Sequence, residues 1–202
     1  MAKQKYLERI KELFEKSVVV TFSDIDKIIN NKKKRNTDYA KQLLNRLVAK
    51  EKIKKLTKGF YTSHDESSLS VLCFKPAYLG LQSALSFHGL WEQETNPVII
   101  TSNSVRQGIR ECLGANIIVR RADKKYLFGY EYSEDAGYYL PYSDIEKTLI
   151  DFIVFREKIS PEVLAEFKKR INKKKLEKYL KVYPKVMKIK VNNALINSLK
   201  VD

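Results

Sequence analysis

Several groups of residues in this chain carry side chains suited to chemistry, and each group has a plainer account beside it. Ser83, His88 and Asp151 have the side chains of a hydrolytic triad. Ser83 lacks the Gly-x-Ser-x-Gly elbow, and five residues along one expected helix set it about 140° from His88. Packing and capping explain these residues better. Asp123-Lys124-Lys125 matches the Asp-x-Lys tail of a metal-dependent nuclease, yet between two expected strands it reads as a charged hairpin turn. No second carboxylate stands ready beside it. Glu146 and Asp151 fall five apart on one expected helix, poor geometry for a shared metal. Cys73, Cys112, His64 and His88 lack the spacing of a zinc site, so the two cysteines read as small core residues. No phosphate-cradling lysine loop or dinucleotide glycine pattern occurs. The expectation is therefore a protein without catalytic residues, metal or cofactor.

A run of cations and amides near the N-terminus is more informative. Lys32, Lys33, Lys34, Arg35 and Asn36 form a polar, basic turn, and Asn36 or Thr37 is placed to cap the helix that follows. Along that helix Ala40, Leu43, Leu44, Leu47 and Val48 recur at helical spacing, which commits them to a core. The outward side then offers Asn36, Thr37, Tyr39, Lys41, Gln42, Asn45 and Arg46. These can read base edges or hold phosphate. Lys54, Lys55 and Lys58 follow in a short strand pair, near enough to grip a neighbouring phosphate strand. An ordinary solvated helix face would look similar, but the basic turn before it and the basic hairpin after it favour DNA.

Charge is distributed to match. Of 202 residues, with a net charge of +15, residues 1–63 hold 17 Lys and Arg against 7 Asp and Glu. Residues 64–155 hold 8 against 12, and residues 156–202 hold 14 against 5. A uniform lysine bias would not leave the middle acidic, so the basic ends point to a polyanionic partner. No apolar run approaches the ~20 residues of a membrane span, and Met1-Ala2-Lys3-Gln4-Lys5 lacks a signal-peptide core. A cytoplasmic location is expected.

The elements that must position these side chains follow from periodicity. Tyr6, Leu7, Ile10, Leu13 and Phe14 mark a first amphipathic helix, and Val18 to Phe22 a short extended link. Thr21 or Ser23 caps a second helix with Ile25, Ile28 and Ile29 inward. After the third helix, Ile53–Leu56 and Phe60–Thr62 flank the turn Thr57-Lys58-Gly59. Three helices and a hairpin predict a winged helix-turn-helix over 1–63. A polar linker follows over 64–70, then a mixed α/β domain over 71–202.

In that second domain the pattern predicts a helix over Ala77–Leu90 and strands at 98–101, 116–121, 126–132 and 137–140. Pro141-Tyr142-Ser143-Asp144 leads into a helix through Phe155, and a Lys-rich helical end runs from Pro161 with a break at Pro184. Tyr126, Phe128, Tyr130, Tyr132, Tyr138 and Tyr139 could stack on single-stranded bases. In an acidic block they are assigned to core or to a protein interface. The fold class expected is α+β.

Three stretches carry a family resemblance. The hairpin ends in Lys58-Gly59-Phe60-Tyr61, residues 78–90 contain Ser83-Ala84-Leu85 and His88-Gly89-Leu90, and Glu146-Lys147-Thr148-Leu149-Ile150-Asp151 closes the series. In this order, over roughly residues 5–155, the chain resembles the AbiEi-type antitoxins, transcriptional regulators of abortive-infection toxin–antitoxin systems. Asp144-Ile145 stands before the last stretch where that family commonly has proline, and the Lys-rich tail is less similar. The resemblance implies an N-terminal module that represses its own promoter by binding double-stranded DNA, and a C-terminal antitoxin domain. It also implies a cognate toxin resembling a nucleotidyltransferase, with or without a stable complex. The competing expectation is a metal-dependent nuclease that uses the middle block. A further one is a scaffold whose winged helix binds protein, since fold alone does not fix function.

Overall fold

In a computed structural model, which describes residues 2–30, 37–93 and 95–197, the chain divides into two compact units. One comprises Met1–Cys73 with Glu111–Ala115, the other Phe74–Arg110 with Asn116–Asp202.

The first unit begins with α1 (Ala2–Lys16), β1 (Val20–Thr21) and α2 (Phe22–Ile29). α3 (Thr37–Ala49), β2 (Lys54–Thr57) and β3 (Phe60–Thr62) complete it. Thr21 ends β1 and caps α2. Its hydroxyl accepts from Asp24 N at 3.2 Å and donates to the Asp24 carboxylate at 2.6 Å, while the Thr21 N–H reaches the same carboxylate. This reciprocal box fixes where extended chain becomes helix. The strands form an antiparallel sheet in the order β1-β3-β2, with Val20 opposite Tyr61 and Lys54 opposite Thr62. Gly59 turns β2 into β3 at φ +82°, a region that favours glycine. Its carbonyl accepts from Phe22 N at 2.8 Å, tying the turn to the start of α2. Ile10, Phe14, Val20, Ile25, Ala40, Leu44 and Ile53 form the core. Each large aliphatic side chain buried there contributes about 1.5–3 kcal/mol of transfer free energy.

The expected linker is not one. Residues Ser67–Phe74 form a 3-10 helix in which Leu69, Ser70 and Val71 are fully buried. The serines made the segment look solvated, but Leu69 and Val71 bring enough apolar surface to hold it in.

The second unit is built on a mixed sheet. The strands of this sheet are β4 (Ala77–Leu79), β5 (Val98–Thr101), β6 (Gly108–Cys112), β7 (Ala115–Arg121), β8 (Tyr130–Asp135) and β9 (Tyr138–Ser143), of which residues 111–112 and 115 count with the first unit. The order is β6-β7-β5-β4-β9-β8. β5 runs parallel to β7, and β4 parallel to β9, while β4–β5 and β8–β9 are antiparallel. Helix α4 (Gln82–Phe87) follows β4. Four helices close the unit: α5 (Ile145–Val154), α6 (Pro161–Arg170), α7 (Lys173–Leu180) and α8 (Lys185–Asn197). Tyr78, Leu85, Ile100, Leu149, Phe152, Phe167 and Leu180 lie in their shared core. The expected helical end with its break at Pro184 is present. Among the described residues no helix is long and apolar enough to cross a membrane.

Several expected elements differ. Ala77–Leu90 is a strand and a helix, because Ala77, Tyr78 and Leu79 are buried in the middle of the sheet. Gly80 ends that strand where a Cβ would stand 2.6 Å from Ile100 Cδ1. The strand expected at 126–132 begins only at Tyr130. Residues Lys124–Tyr126 form a 3-10 turn, and Gly129 sits at φ +68°. Ser133-Glu134-Asp135 belong to β8 rather than to a separator, and the strand expected at 137–140 extends to Ser143. Asp123-Lys124-Lys125 is not a hairpin turn, since β7 and β8 are not neighbours in the sheet. β6, with Ile109 and Glu111 exposed, carried no expectation at all.

Candidate nucleic-acid interface

Helix α3 exposes what its periodicity promised. Ala40, Leu43 and Leu44 are buried, whereas Lys41, Gln42, Asn45 and Arg46 are exposed. At about 100° per residue, Gln42 and Asn45 lie near the centre of the outer face, with Lys41 and Arg46 on either flank. Amides between cations suit a surface that reads at its middle and grips at its edges. Tyr39 is half-buried against the core of the unit rather than standing outward. Thr37 opens the helix. Lys32, Lys33, Lys34, Arg35 and Asn36 lie outside the described residues.

The three lysines of the hairpin are not equivalent. Lys55 and Lys58 are exposed, and among the described residues neither they nor Arg46 have an ion-pair partner. Lys54 is two-thirds covered and is paired with Asp65. Lys41 lies 3.7 Å from Asp38, an exposed contact on the same helix that water and salt weaken. Among the described residues, unpaired cations thus stand on the outer side of α3 and along β2 and its turn, and others, Arg9, Lys11 and Lys16, stand exposed on α1.

The second unit puts charged residues to a different use. Asp144 caps α5, accepting from Lys147 N at 2.8 Å, and its second oxygen accepts from Tyr179 at 2.7 Å and from Lys175 Nζ at 3.0 Å. Glu146 accepts from Asn172 N at 2.7 Å, which anchors the start of α7. One turn along, the ammonium of Lys147 pairs with Asp151, and both side chains are at most 2% exposed. Tyr78 donates to the other Asp151 oxygen at 2.8 Å, and Lys147 donates to the Tyr183 hydroxyl at 3.1 Å. The same ammonium lies 5.5–5.8 Å from the rings of Tyr78, Phe128 and Tyr183, within cation–π range. Burial raises the Asp151 carboxyl above its usual range even though Lys147 pulls it down. Burial likewise pushes the Tyr78 and Tyr183 hydroxyls up, with the Asp151 charge adding to it. Sequence spacing pointed to none of these partnerships, although the Glu146–Asp151 stretch had stood out as a motif.

The residues of the imagined triad are kept apart by their partners. The Ser83 hydroxyl accepts from Val98 N at 2.8 Å, His88 Nε2 donates to Ser143 O at 2.7 Å, and Asp151 faces Lys147. Asp123 is exposed at the head of the turn before β8. Among the described residues no three His, Cys, Asp or Glu side chains gather as a metal site would require. Cys73 and Cys112 are free thiols, and burial pushes that of Cys73 up to about 12.

No family model and no curated protein matches the chain. A solved structure does. The crystal structure of the RV2827C protein from Mycobacterium tuberculosis is similar with a TM-score of 0.60 at 14% identity, over 96% of this chain and 77% of that one. At that identity the likeness extends to the fold.

Proposed function

We propose that the chain is a sequence-specific DNA-binding repressor whose first 63 residues act as a winged helix-turn-helix. The unpaired cations around the outer face of α3 carry this reading. In it, α3 enters the major groove, where Gln42 and Asn45 contact base edges. Arg46, Lys55 and Lys58 hold phosphates on either side, with Lys32, Lys33, Lys34 and Arg35 adding to the same grip. The stretches that resemble those of AbiEi-type antitoxins extend the reading to a cytoplasmic, autoregulating antitoxin, with a nucleotidyltransferase-like toxin as its counterpart.

The test is selection of duplexes from a random-sequence library by the full chain, followed by titration of the selected site across salt concentrations. The expected outcome is an enriched motif, with affinity that falls steeply as salt rises because bound counterions are released. Replacing Lys55 or Lys58 should weaken selected and scrambled duplexes alike, whereas replacing Gln42 or Asn45 should change the selected sequence. Absence of any enriched motif together with salt-independent binding would overturn the proposal.

A further inference from the structure

A cavity of about 300 Å³ lies in the second unit where β7 passes the start of α4. Strand register sets one side of it. Ile118 and Arg120 alternate along β7 and share a face, opposite Val98 and Ile100 of β5. Leu81, Val98 and Ile118 make that side apolar. Two hydrogen bonds fix the remaining wall. Ile118 N donates to Pro97 O at 2.8 Å, which holds Asn96 beside β7, and Val98 N donates to Ser83 Oγ at 2.8 Å, which holds the start of α4 beside β5. Leu81, just before α4, stands at φ +53° and ψ −128°, a backbone conformation that favours glycine. Strain of this kind persists where packing imposes it, and it clusters at sites that clamp a ligand.

The polar groups around the cavity are largely unspent. Nη2 of Arg120 donates to Glu157, whose own N–H is fixed to Phe152 O at 2.9 Å where α5 ends. Nε of Arg120 is the one buried side-chain nitrogen or oxygen among the described residues that has no hydrogen-bond partner. An unmet buried donor is costly and calls for an acceptor. Among the described residues nothing engages the amides of Gln82 and Asn96 or the second oxygen of Glu157 either.

We propose that this cavity binds a small aliphatic α-amino acid. Its carboxylate lies on the Arg120 guanidinium, a charge-assisted contact whose planar geometry suits carboxylates, and supplies the acceptor that Nε lacks. Its ammonium donates to the free oxygen of Glu157. A plain carboxylate would be repelled by Glu157 and a plain amine by Arg120, so a ligand with both charges is the one matched at both ends. The side chain rests on Leu81, Val98 and Ile118, and Gln82 and Asn96 donate further to the carboxylate. The volume stands at the lower end of the roughly 300–1,000 Å³ of small-molecule sites, which suits valine or leucine.

Calorimetric titration of the full chain with L-leucine and L-valine tests this, over the micromolar to millimolar range expected of so small a ligand. Saturable binding is expected, with isocaproate (leucine without its ammonium) and isoamylamine (leucine without its carboxylate) each about tenfold weaker or worse, as for the loss of one charged contact. Arg120→Gln should abolish leucine binding. Glu157→Gln should weaken leucine and strengthen isocaproate, an exchange that loosened packing would not produce. Asn96→Ala, at an exposed position, should weaken leucine several-fold while leaving thermal unfolding unchanged, and so reads the site even if the Arg120 variant fails to fold. No binding of either amino acid, or binding that both Asn96→Ala and Glu157→Gln leave intact, overturns the proposal. Equal binding of leucine and isocaproate overturns the assignment of a zwitterion. No residue of 1–63 lines the cavity, so the outcome is read separately from that of the duplex titration.

Discussion

Lys55 and Lys147 are the same residue type in opposite circumstances. Lys55 stands in water beside other unpaired cations, whereas Lys147 is enclosed, paired with Asp151 and ringed by three aromatic side chains. A solvated lysine adds little to folding and remains available to a partner. An enclosed one is committed to its own chain, and the desolvation it has undergone makes its removal costly. What separates the proposed interface from scaffolding is whether the charge is already satisfied, and substitutions at the two places should fail in different ways.

The largest effect should come from breaking the enclosed pair. Asp151→Ala leaves a buried ammonium without its counter-charge and is expected to cost about 3–5 kcal/mol, lowering Tm by roughly 10 °C. Replacing both partners by apolar residues, Lys147→Met with Asp151→Leu, should recover much of that loss. If the single and double variants melted together, the pair would not hold the unit as described. Gly129→Ala approaches the same cluster from the backbone. At φ +68°, a Cβ would come within 2.9 Å of the Tyr179 ring and 3.0 Å of Lys147 Cβ, so a loss of about 1–3 kcal/mol is expected in chemical denaturation.

On the exposed side stability should hardly move while binding does. Lys55→Ala with Lys58→Ala should lower duplex affinity about tenfold or more and flatten the salt dependence by roughly one unit of slope per lysine. Lys54→Ala should do less, because Asp65 already occupies that ammonium. Equal effects of Lys54 and Lys55 would remove the distinction between paired and unpaired charge in the hairpin. The smallest effect concerns acid. Hydrogen bonds from Thr21, aided by Lys27, hold the Asp24 carboxyl below its usual 3.8. Its contribution is present above about pH 4 and is lost as pH falls through the lowered value. Asp24→Asn should flatten the dependence of Tm on pH below 4 by a degree or so, as befits a half-exposed group whose interactions water screens.

The first unit was largely legible because its signals are local. Ile10 and Phe14 on α1, the Thr21 cap, the apolar stripe of α3 and the turn at Gly59 each act within a few residues. The second unit resisted for two reasons. Ala77-Tyr78-Leu79 is too short for period to tell a strand from a helix. Its burial also depends on β5 and β9, which no neighbouring residue announces. Of the candidate interface, Lys41, Gln42, Asn45, Arg46, Lys55 and Lys58 stand exposed as their spacing suggested. The half-burial of Tyr39 and the pairing of Lys54 with Asp65 depend on contacts that spacing does not encode. Lys147 and Asp151 were in view only as members of a motif, and their pairing and enclosure depend on Tyr78, Phe128 and Tyr183, which come from elsewhere in the chain.

The parallel pairing of β4 with β9, Leu79 opposite Tyr142, has a consequence for how the protein is made. That ladder joins segments far apart along the chain, so β4 lacks one of its two neighbours until the ribosome has released residues beyond Ser143. The helical part of the first unit can consolidate much earlier, from contacts made within its own stretch. During that interval the bare edge of β4 is the place where a nascent chain is most open to mispairing, and where a chaperone would have the most to shield.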